Sequence, residues 1–435
     1  MLGCFFWFAL GGASLGAFSH DGALDRLELA LPRQVVRNPV RTRPMKLIAL
    51  LLWFAAVTVG PAATDARSPS ETEARANLLR AAEALHGLRP LSVLDKKLTA
   101  VSGDKHDFFA IGKLAWANPD SPDGLPWVRR DGAHNPAAFS SDYDKAHYNT
   151  TLDRIHLLAL AWHHSRDERH AAKAVSLIRA WFLDPATRMN PHFQYASALP
   201  GVHAGMPIGI IEGVVLIDFI DDLHLLAGCA SLTPADEAAL KRWFGGYTSW
   251  LLDSEFGREE GGAKSNHAVW YAAQVATFAL FTGDHALIGP MIGIGRRILD
   301  NHQNEEGGFP IELGRRQSLH YSIYMLAAYT ALARCGERSG VSAHDLWHYK
   351  SPQGRSLRQG LVWLTPYLAN EKPWPFEDMD RDAGKPPLVQ ALVVLREASR
   401  VWPDLAPGCE RAAAQVYEAK LAPVRARWLL TPTDR

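Results

Sequence analysis

The chain reads as an all-α protein, an (α/α) toroid or incomplete barrel of antiparallel helix hairpins. Three observations lead there. From Ser68 onward apolar residues recur at helical spacing, and no convincing run alternates apolar with polar as a half-buried strand does. The helical stretches come in pairs across short polar turns, such as Arg166-Asp167 and Thr282-Gly283-Asp284, at intervals of about fifty to sixty residues. Long segments without that periodicity, 102 to 148, 183 to 207, 303 to 314 and 370 to 386, gather histidines, arginines and aromatics beside Pro and Gly, as loops lining the mouth of a ring would.

Glu73 to Leu88 opens the series as an amphipathic helix, followed by the pair Thr151 to Ser165 and Glu168 to Phe182. Ile208 to Leu226 is almost wholly apolar, the pattern of a helix buried on every side. Thr233 supplies an N-cap, Pro234 a first helical residue that needs no N–H partner, and Asp236 and Glu237 first-turn acids, so a helix starts there and runs to about Leu252. Asn266 to Phe281 and His285 to His302 form the next pair. Leu319 to Arg334, Arg355 to Leu368, Pro387 to Val401 and Cys409 to Lys420 complete the predicted set.

The 435 residues carry 46 basic and 46 acidic side chains, so no whole-molecule field draws nucleic acid or an acidic membrane, and an anionic ligand must be held by local cations. Eighteen histidines and fourteen tryptophans suit sugar platforms and helix packing equally. Arg41 and Arg43, the apolar run from Leu47 to Val59 and the small residues that follow read as a secretory signal peptide over 45 to 66. Residues 1 to 44 then form an upstream extension, because the apolar stretch from Met1 to Phe18 lacks a basic lead and Met45 is the better start. The expectation is one domain over 68 to 425, periplasmic or secreted, monomeric, with no stable membrane association after signal cleavage. Cys229, Cys335 and Cys409 permit at most one disulfide there.

Two stretches put proton-handling side chains at the mouths of apolar helices: Lys264-Ser-Asn-His-Ala-Val-Trp270 and Glu312-Leu-Gly-Arg-Arg-Gln-Ser-Leu-His-Tyr-Ser322. Taken singly, Asn266 reads as an N-cap, His267 as a first-turn residue and Tyr321 as a core tyrosine with a bonded hydroxyl. Together they read as a site. Arg129 and Arg130 suit carboxylate contact or the anchoring of Asp131. Tyr143, Lys145, His147 and Tyr148 form a polar, lid-like loop, either solvated surface or substrate subsite. Asn190 and Trp374 sit among Pro turns in two of the loops assigned to the cleft. His163, His164, His192, His203 and His224 lack the i, i+4 spacing and flanking glutamate of a zinc motif, and no phosphate loop or nucleotide fingerprint appears, so no metal or other cofactor is expected.

Gly124-Leu-Pro-Trp-Val-Arg-Arg-Asp-Gly132, Ala180-Trp-Phe-Leu-Asp-Pro-Ala-Thr-Arg-Met-Asn-Pro191, Asn266-His267 and Glu312-Leu-Gly-Arg315 through Tyr321 resemble the alginate lyase domain family of polysaccharide lyases, over roughly residues 100 to 385. The resemblance implies an (α/α) toroid that cleaves uronic-acid polysaccharides without metal or organic cofactor. It also implies roles. Asn266 and His267 resemble the family's catalytic Asn-His pair, Arg315 the arginine near the reacting sugar, and Tyr321 the tyrosine that moves the proton. Ser265 stands where alginate-cleaving members often carry Asn, and Ser197 where related chains often carry Gln. The Arg-to-Tyr interval is one residue shorter than theirs, so Arg316 competes with Arg315.

Removing the C5 proton of a uronate builds negative charge on its carboxylate, which preset donors and cations such as Asn266 and an arginine stabilise. In mannuronate and glucuronate the C5 proton and the C4 oxygen share one face, so Tyr321 could be base and acid in turn if nearby positive charge lowered its phenol pKa. In guluronate they lie on opposite faces, and His267 is the more natural base. The expected substrate is therefore an anionic uronan of the mannuronate or glucuronate type; the resemblance implies mannuronate-rich alginate first, with glucuronan second, and Arg129, Arg130, Tyr143, Lys145, Asn190, Lys264, Arg316 and Trp374 are expected along the chain of sugars. A glycoside hydrolase would instead need paired carboxylates, for which Asp131, Asp142, Asp144, Glu212 and Glu312 offer no recognisable pair. A silent polysaccharide-binding protein would need no His267 with Tyr321.

Overall fold

A computed structural model describes residues 71–385 and 387–418. The expected leader over 45 to 66, the upstream segment 1 to 44 and both expected domain ends lie outside the described residues. In chain order the helices are α1 (Glu71–Glu83), α2 (Asp144–Ser165), α3 (Glu168–Ile178), α4 (Val215–Leu225), α5 (Pro234–Asp253), α6 (Glu255–Gly262) and α7 (Asn266–Thr282). They continue with α8 (Ile288–His302), α9 (Pro310–Leu313), α10 (Ser318–Arg338), α11 (Leu357–Leu368), α12 (Met379–Asp382), α13 (Gln390–Val401) and α14 (Ala406–Glu418).

Contacts sort these helices into two layers. α2, α4, α7, α10 and α13 follow one another as an inner row, each packed on the next. Outside them, α1 and α3 cover α2, α5 and α8 cover α7, and α11 and α14 cover α10 and α13. The sequence accounts for the division, because an inner helix is walled on all sides and must be apolar nearly all round, whereas an outer helix needs only one apolar stripe. From Ala268 to Ala279 every residue of α7 is buried. Alanines at 272, 273 and 276 of α7 and at 327, 328 and 333 of α10 are buried, which lets these two helices approach closely. Two buried polar groups inside the rows bond across or along them: Tyr247 donates to Gln274 Oε1 at 3.0 Å, and the Thr330 hydroxyl to the Leu326 carbonyl at 2.8 Å. Phe182 stacks on Phe219 at 4.8 Å and Phe244 lies 4.9 Å from Phe278, filling the space between α4, α5 and α7. This is the (α/α) toroid class that the helix pairing predicts.

The expected start of α5 is present as a reciprocal cap. Thr233 Oγ1 accepts from the Asp236 N–H at 3.2 Å, and Asp236 Oδ2 accepts from the Thr233 N–H at 3.0 Å. Gly283, with φ at 89°, ends α7 in the left-handed conformation that a side chain would resist. Other boundaries differ from the expectation. α2 begins at Asp144, not Thr151, so the segment expected to be a polar loop is its first two turns. Asp144 is fully buried, pairs with Lys96 Nζ at 3.0 Å and accepts from the Phe109 N–H at 2.8 Å. Its polarity is turned inward, where periodicity does not register it. Pro207–Val214 is a 3-10 stretch ahead of α4 rather than the front of one long helix. Helix α6 was not expected at all. Among the described residues there are also four strands of two to four residues: β1 (Phe109–Ile111) pairs in parallel with β4 (Tyr195–Ala198), and β2 (Ala115–Trp116) pairs antiparallel with β3 (Val128–Arg129). They are too short to show alternation, yet they pin the loops 112–115 and 197–199 to the mouth of the inner row. Cys229, Cys335 and Cys409 are buried thiols without a disulfide.

Candidate active site

A cavity opens where the loops of β1, β2 and β4 meet the first turns of α2, α7 and α10. Tyr321, in the first turn of α10, is 8% exposed and lines it. Arg315 Nη2 donates to the Tyr321 hydroxyl at 2.9 Å, and the same guanidinium lies 3.9 Å from the ring centre. Arg315 is fixed from its other side by Asp131 Oδ1, also at 2.9 Å. The turn that delivers Asp131 depends on Gly132, whose φ is 73° and where a Cβ would meet Met379 Sδ at 2.5 Å. Burial raises the Tyr321 phenol above its ordinary pKa. Arg315 pulls it back part of the way, and Asp131 and Glu312 push it up again. The expected depression of this phenol is therefore not present, because burial outweighs the Arg315 cation and the charges of Asp131 and Glu312 add to it. Burial would raise Asp131 as well, but the bond and charge of Arg315 hold it below the ordinary carboxylate value.

Asn266 is the first residue of α7, and the N-cap position belongs to Ser265. The buried Glu312 caps the helix from a distance: its Oε1 accepts from the Asn266 backbone N–H at 2.7 Å and its Oε2 from Nδ2 at 2.9 Å. Burial raises Glu312, while the two bonds from Asn266 and the charges of His267 and Arg315 oppose the rise. His267 Nδ1 hydrogen-bonds the carboxylate of Glu260, which is 3% exposed and belongs to α6. That bond sets the ring orientation and leaves Nε2 as the nitrogen available to a ligand.

The cavity wall is cationic. Lys113, Arg129, Lys145 and Arg315 line it, and Glu212, ion-paired to Lys145, is the one carboxylate among the described lining residues. Burial, then the charges of Lys145 and Arg315, push the Lys113 amine down to about 8. His320 also lines the wall, held well below its ordinary value by burial and by the Lys113 charge. The carboxylates considered for a hydrolase do not pair here: Asp142 binds Lys97 at 2.8 Å, Asp144 is buried on Lys96, and Asp131 is committed to Arg315.

Of the residues expected from the sequence, Asn266, His267, Arg315, Tyr321, Arg129 and Lys145 come together around the cavity. Arg316 turns away, reaching the Asp131 carbonyl at 3.3 Å and Glu377 at 3.7 Å. Arg130 lies 5.6 Å over the Trp116 ring, and Lys264 is exposed outside the lining. Tyr143 is buried against Phe109 at 5.4 Å. Asn190 donates to Asp104 and Asp107, at 3.0 and 2.7 Å, and Trp374 donates to Ser318 Oγ at 2.8 Å within a cluster that includes Trp363 and Phe376. These last three bind their own chain. Sequence reasoning missed Lys113 and Glu260, and it placed His320 at the helix mouth without giving it a role. Ser197, with φ at 54°, lines the cavity in left-handed backbone that serine rarely adopts.

The family model "Alginate lyase" matches residues 92–374. A crystal structure of an alginate lyase from Bacteroides ovatus is 31% identical with a TM-score of 0.73, over 82% of this chain and 92% of that one. The alginate lyase A1-III of Sphingomonas species A1 is 16% identical with a TM-score of 0.47, over 74% and 86% of the two chains. Among curated proteins, none matches. With well over half of the chain covered by the family model and a solved relative aligned over most of its length, the chain belongs to the alginate lyase family and is a polysaccharide lyase.

Proposed function

We propose that the enzyme cleaves alginate by β-elimination, with mannuronate-rich chains preferred, and that Tyr321 moves the proton. The observation that carries the reading is the contact of Arg315 with both the hydroxyl and the ring of Tyr321, inside a cavity with four cations. In its ionised form, which the Arg315 cation favours against burial, Tyr321 takes the C5 proton, the C–H electron pair forms the C4=C5 double bond, and the C4–O bond breaks. Tyr321 then returns the proton to the departing oxygen, so no base is consumed. Asn266 and His267 stabilise the charge that builds on the sugar carboxylate, and Arg315 supplies the counter-charge for the phenolate. Lys113, Arg129 and Lys145 hold carboxylates of the bound chain, which is how a protein of zero net charge grips a polyanion.

A second reading has one feature in its favour: with Nδ1 engaged by Glu260, His267 keeps Nε2 for a proton, as guluronate chemistry would need. Residues 45 to 66, read as a leader, support a periplasmic or secreted enzyme acting on polysaccharide outside the cytoplasm; a monomer with one lyase domain over 68 to 425 is part of the same reading. No described helix is long and apolar enough to cross a membrane. The test is ultraviolet absorbance of the unsaturated product on polymannuronate, polyguluronate and glucuronan. Fastest release from polymannuronate supports the proposal. Product from polyguluronate alone moves the base to His267, and reducing ends without absorbance make the enzyme a hydrolase.

A further inference from the structure

We propose that Glu83, His86 and His170 form a site for a divalent cation of the zinc class, fastening the end of α1 to the start of α3. One ligand atom from each lies within 4.8 Å of the others. His86 Nε2 and His170 Nδ1 are 2.9 Å apart with the rings edge-on at 77°. Two nitrogens at about 2.0–2.1 Å from a tetrahedral ion stand about 3.4 Å apart, so the pair needs to widen by only about half an ångström.

Two imidazoles and one carboxylate suit zinc, copper or nickel and not calcium or magnesium, which favour oxygen ligands. His170 is 3% exposed, so its ring is held in place between α1 and α3. Glu83 accepts from Arg169 Nη1 at 3.3 Å in a solvated pair that contributes little, and Arg169 keeps its tighter contact with Asp167 at 2.7 Å if Glu83 turns to a metal. The fourth position lies toward solvent, because Glu83 is exposed and His86 half-buried. No cavity-lining residue comes from α1 or α3, so the ion would act on the fold and not on the sugar chemistry.

The full chain, stripped with chelator, is titrated with zinc alone, with magnesium as control. One zinc per chain should bind, and zinc at a hundred times its dissociation constant should raise the folded-to-unfolded ratio about 100-fold, read as a higher urea midpoint. His86→Ala and Glu83→Gln change side chains that are not core and should fold; each should weaken zinc at least about tenfold and remove most of the zinc-dependent shift. Equal zinc affinity in wild type and His86→Ala, or no binding by wild type, would overturn the site. Binding without a midpoint shift would overturn its role in fastening α1 to α3.

Discussion

Arg315 Nη2 lies 2.9 Å from the Tyr321 hydroxyl while its guanidinium carbon sits 3.9 Å from the centre of the same ring. One cation thus meets both the oxygen and the π face of one phenol, an arrangement that favours the ionised oxygen over the neutral one. Burial opposes that preference and, with the charges of Asp131 and Glu312, leaves the phenol above its ordinary pKa, so the tyrosine is not simply activated.

The two adjacent arginines should behave differently. Arg129 lines the cavity and Arg130 lies over Trp116, so Arg129→Ala should raise KM for the polymer several-fold while Arg130→Ala leaves it near wild type. Wild-type KM should also rise with salt, because the lining cations are partly solvated. Steady-state kinetics at two ionic strengths checks both, and equal effects of the two substitutions would contradict the geometry.

Glu260→Gln should lower kcat by roughly tenfold or more while KM changes little, since the amide would no longer hold His267 Nδ1 as an ionised carboxylate does. The fold should survive. A variant with wild-type kcat would show that the ring orientation has no part in turnover.

Lys113 gives a pH signature. With its amine pushed down to about 8, the lysine is cationic below that pH and neutral above it, so its attraction for a carboxylate is present at neutral pH and lost as pH rises. KM should therefore climb above about pH 8, and Lys113→Met should raise KM at pH 7 and flatten the climb. A profile unchanged by the substitution would remove Lys113 from substrate binding.

Glu312→Ala should cost stability as well as activity. It leaves the buried N–H of Asn266 and one N–H of its amide without acceptors, a loss of about 1–3 kcal/mol for an orphaned buried donor, read from urea unfolding. A variant as stable as wild type would mean that α7 finds another cap.

Much of this was legible in the sequence, for physical reasons that also explain the rest. α7 and α10 announce themselves because inner helices are apolar on every face, and Asn266, His267, Arg315 and Tyr321 stand out because polar groups at such helix mouths need a purpose. Glu260 was hidden because Glu255-Phe-Gly-Arg-Glu-Glu-Gly-Gly262 is polar and glycine-rich, a loop by composition that becomes a helix under α7. Lys113 was hidden because its place depends on β1 pairing with β4, a contact between distant segments that no local pattern encodes. Asn190 and Trp374 drew notice as polar and aromatic residues beside turns, yet their bonds go to Asp107 and Ser318. The first turns of α2 read as loop because Asp144 and Lys145 are charged, and only their partners, the buried Lys96 and the half-buried Glu212, reverse that reading.

The most direct test of the central claim is the turnover of Tyr321→Phe on the best uronan substrate, with the fold checked by circular dichroism. The substitution keeps the ring over which Arg315 lies and removes only the hydroxyl, so kcat should fall by about two or more orders of magnitude, the scale of a lost acid and base. Retention of more than about a tenth of wild-type turnover by a folded variant would contradict the account and assign the C5 proton to another group.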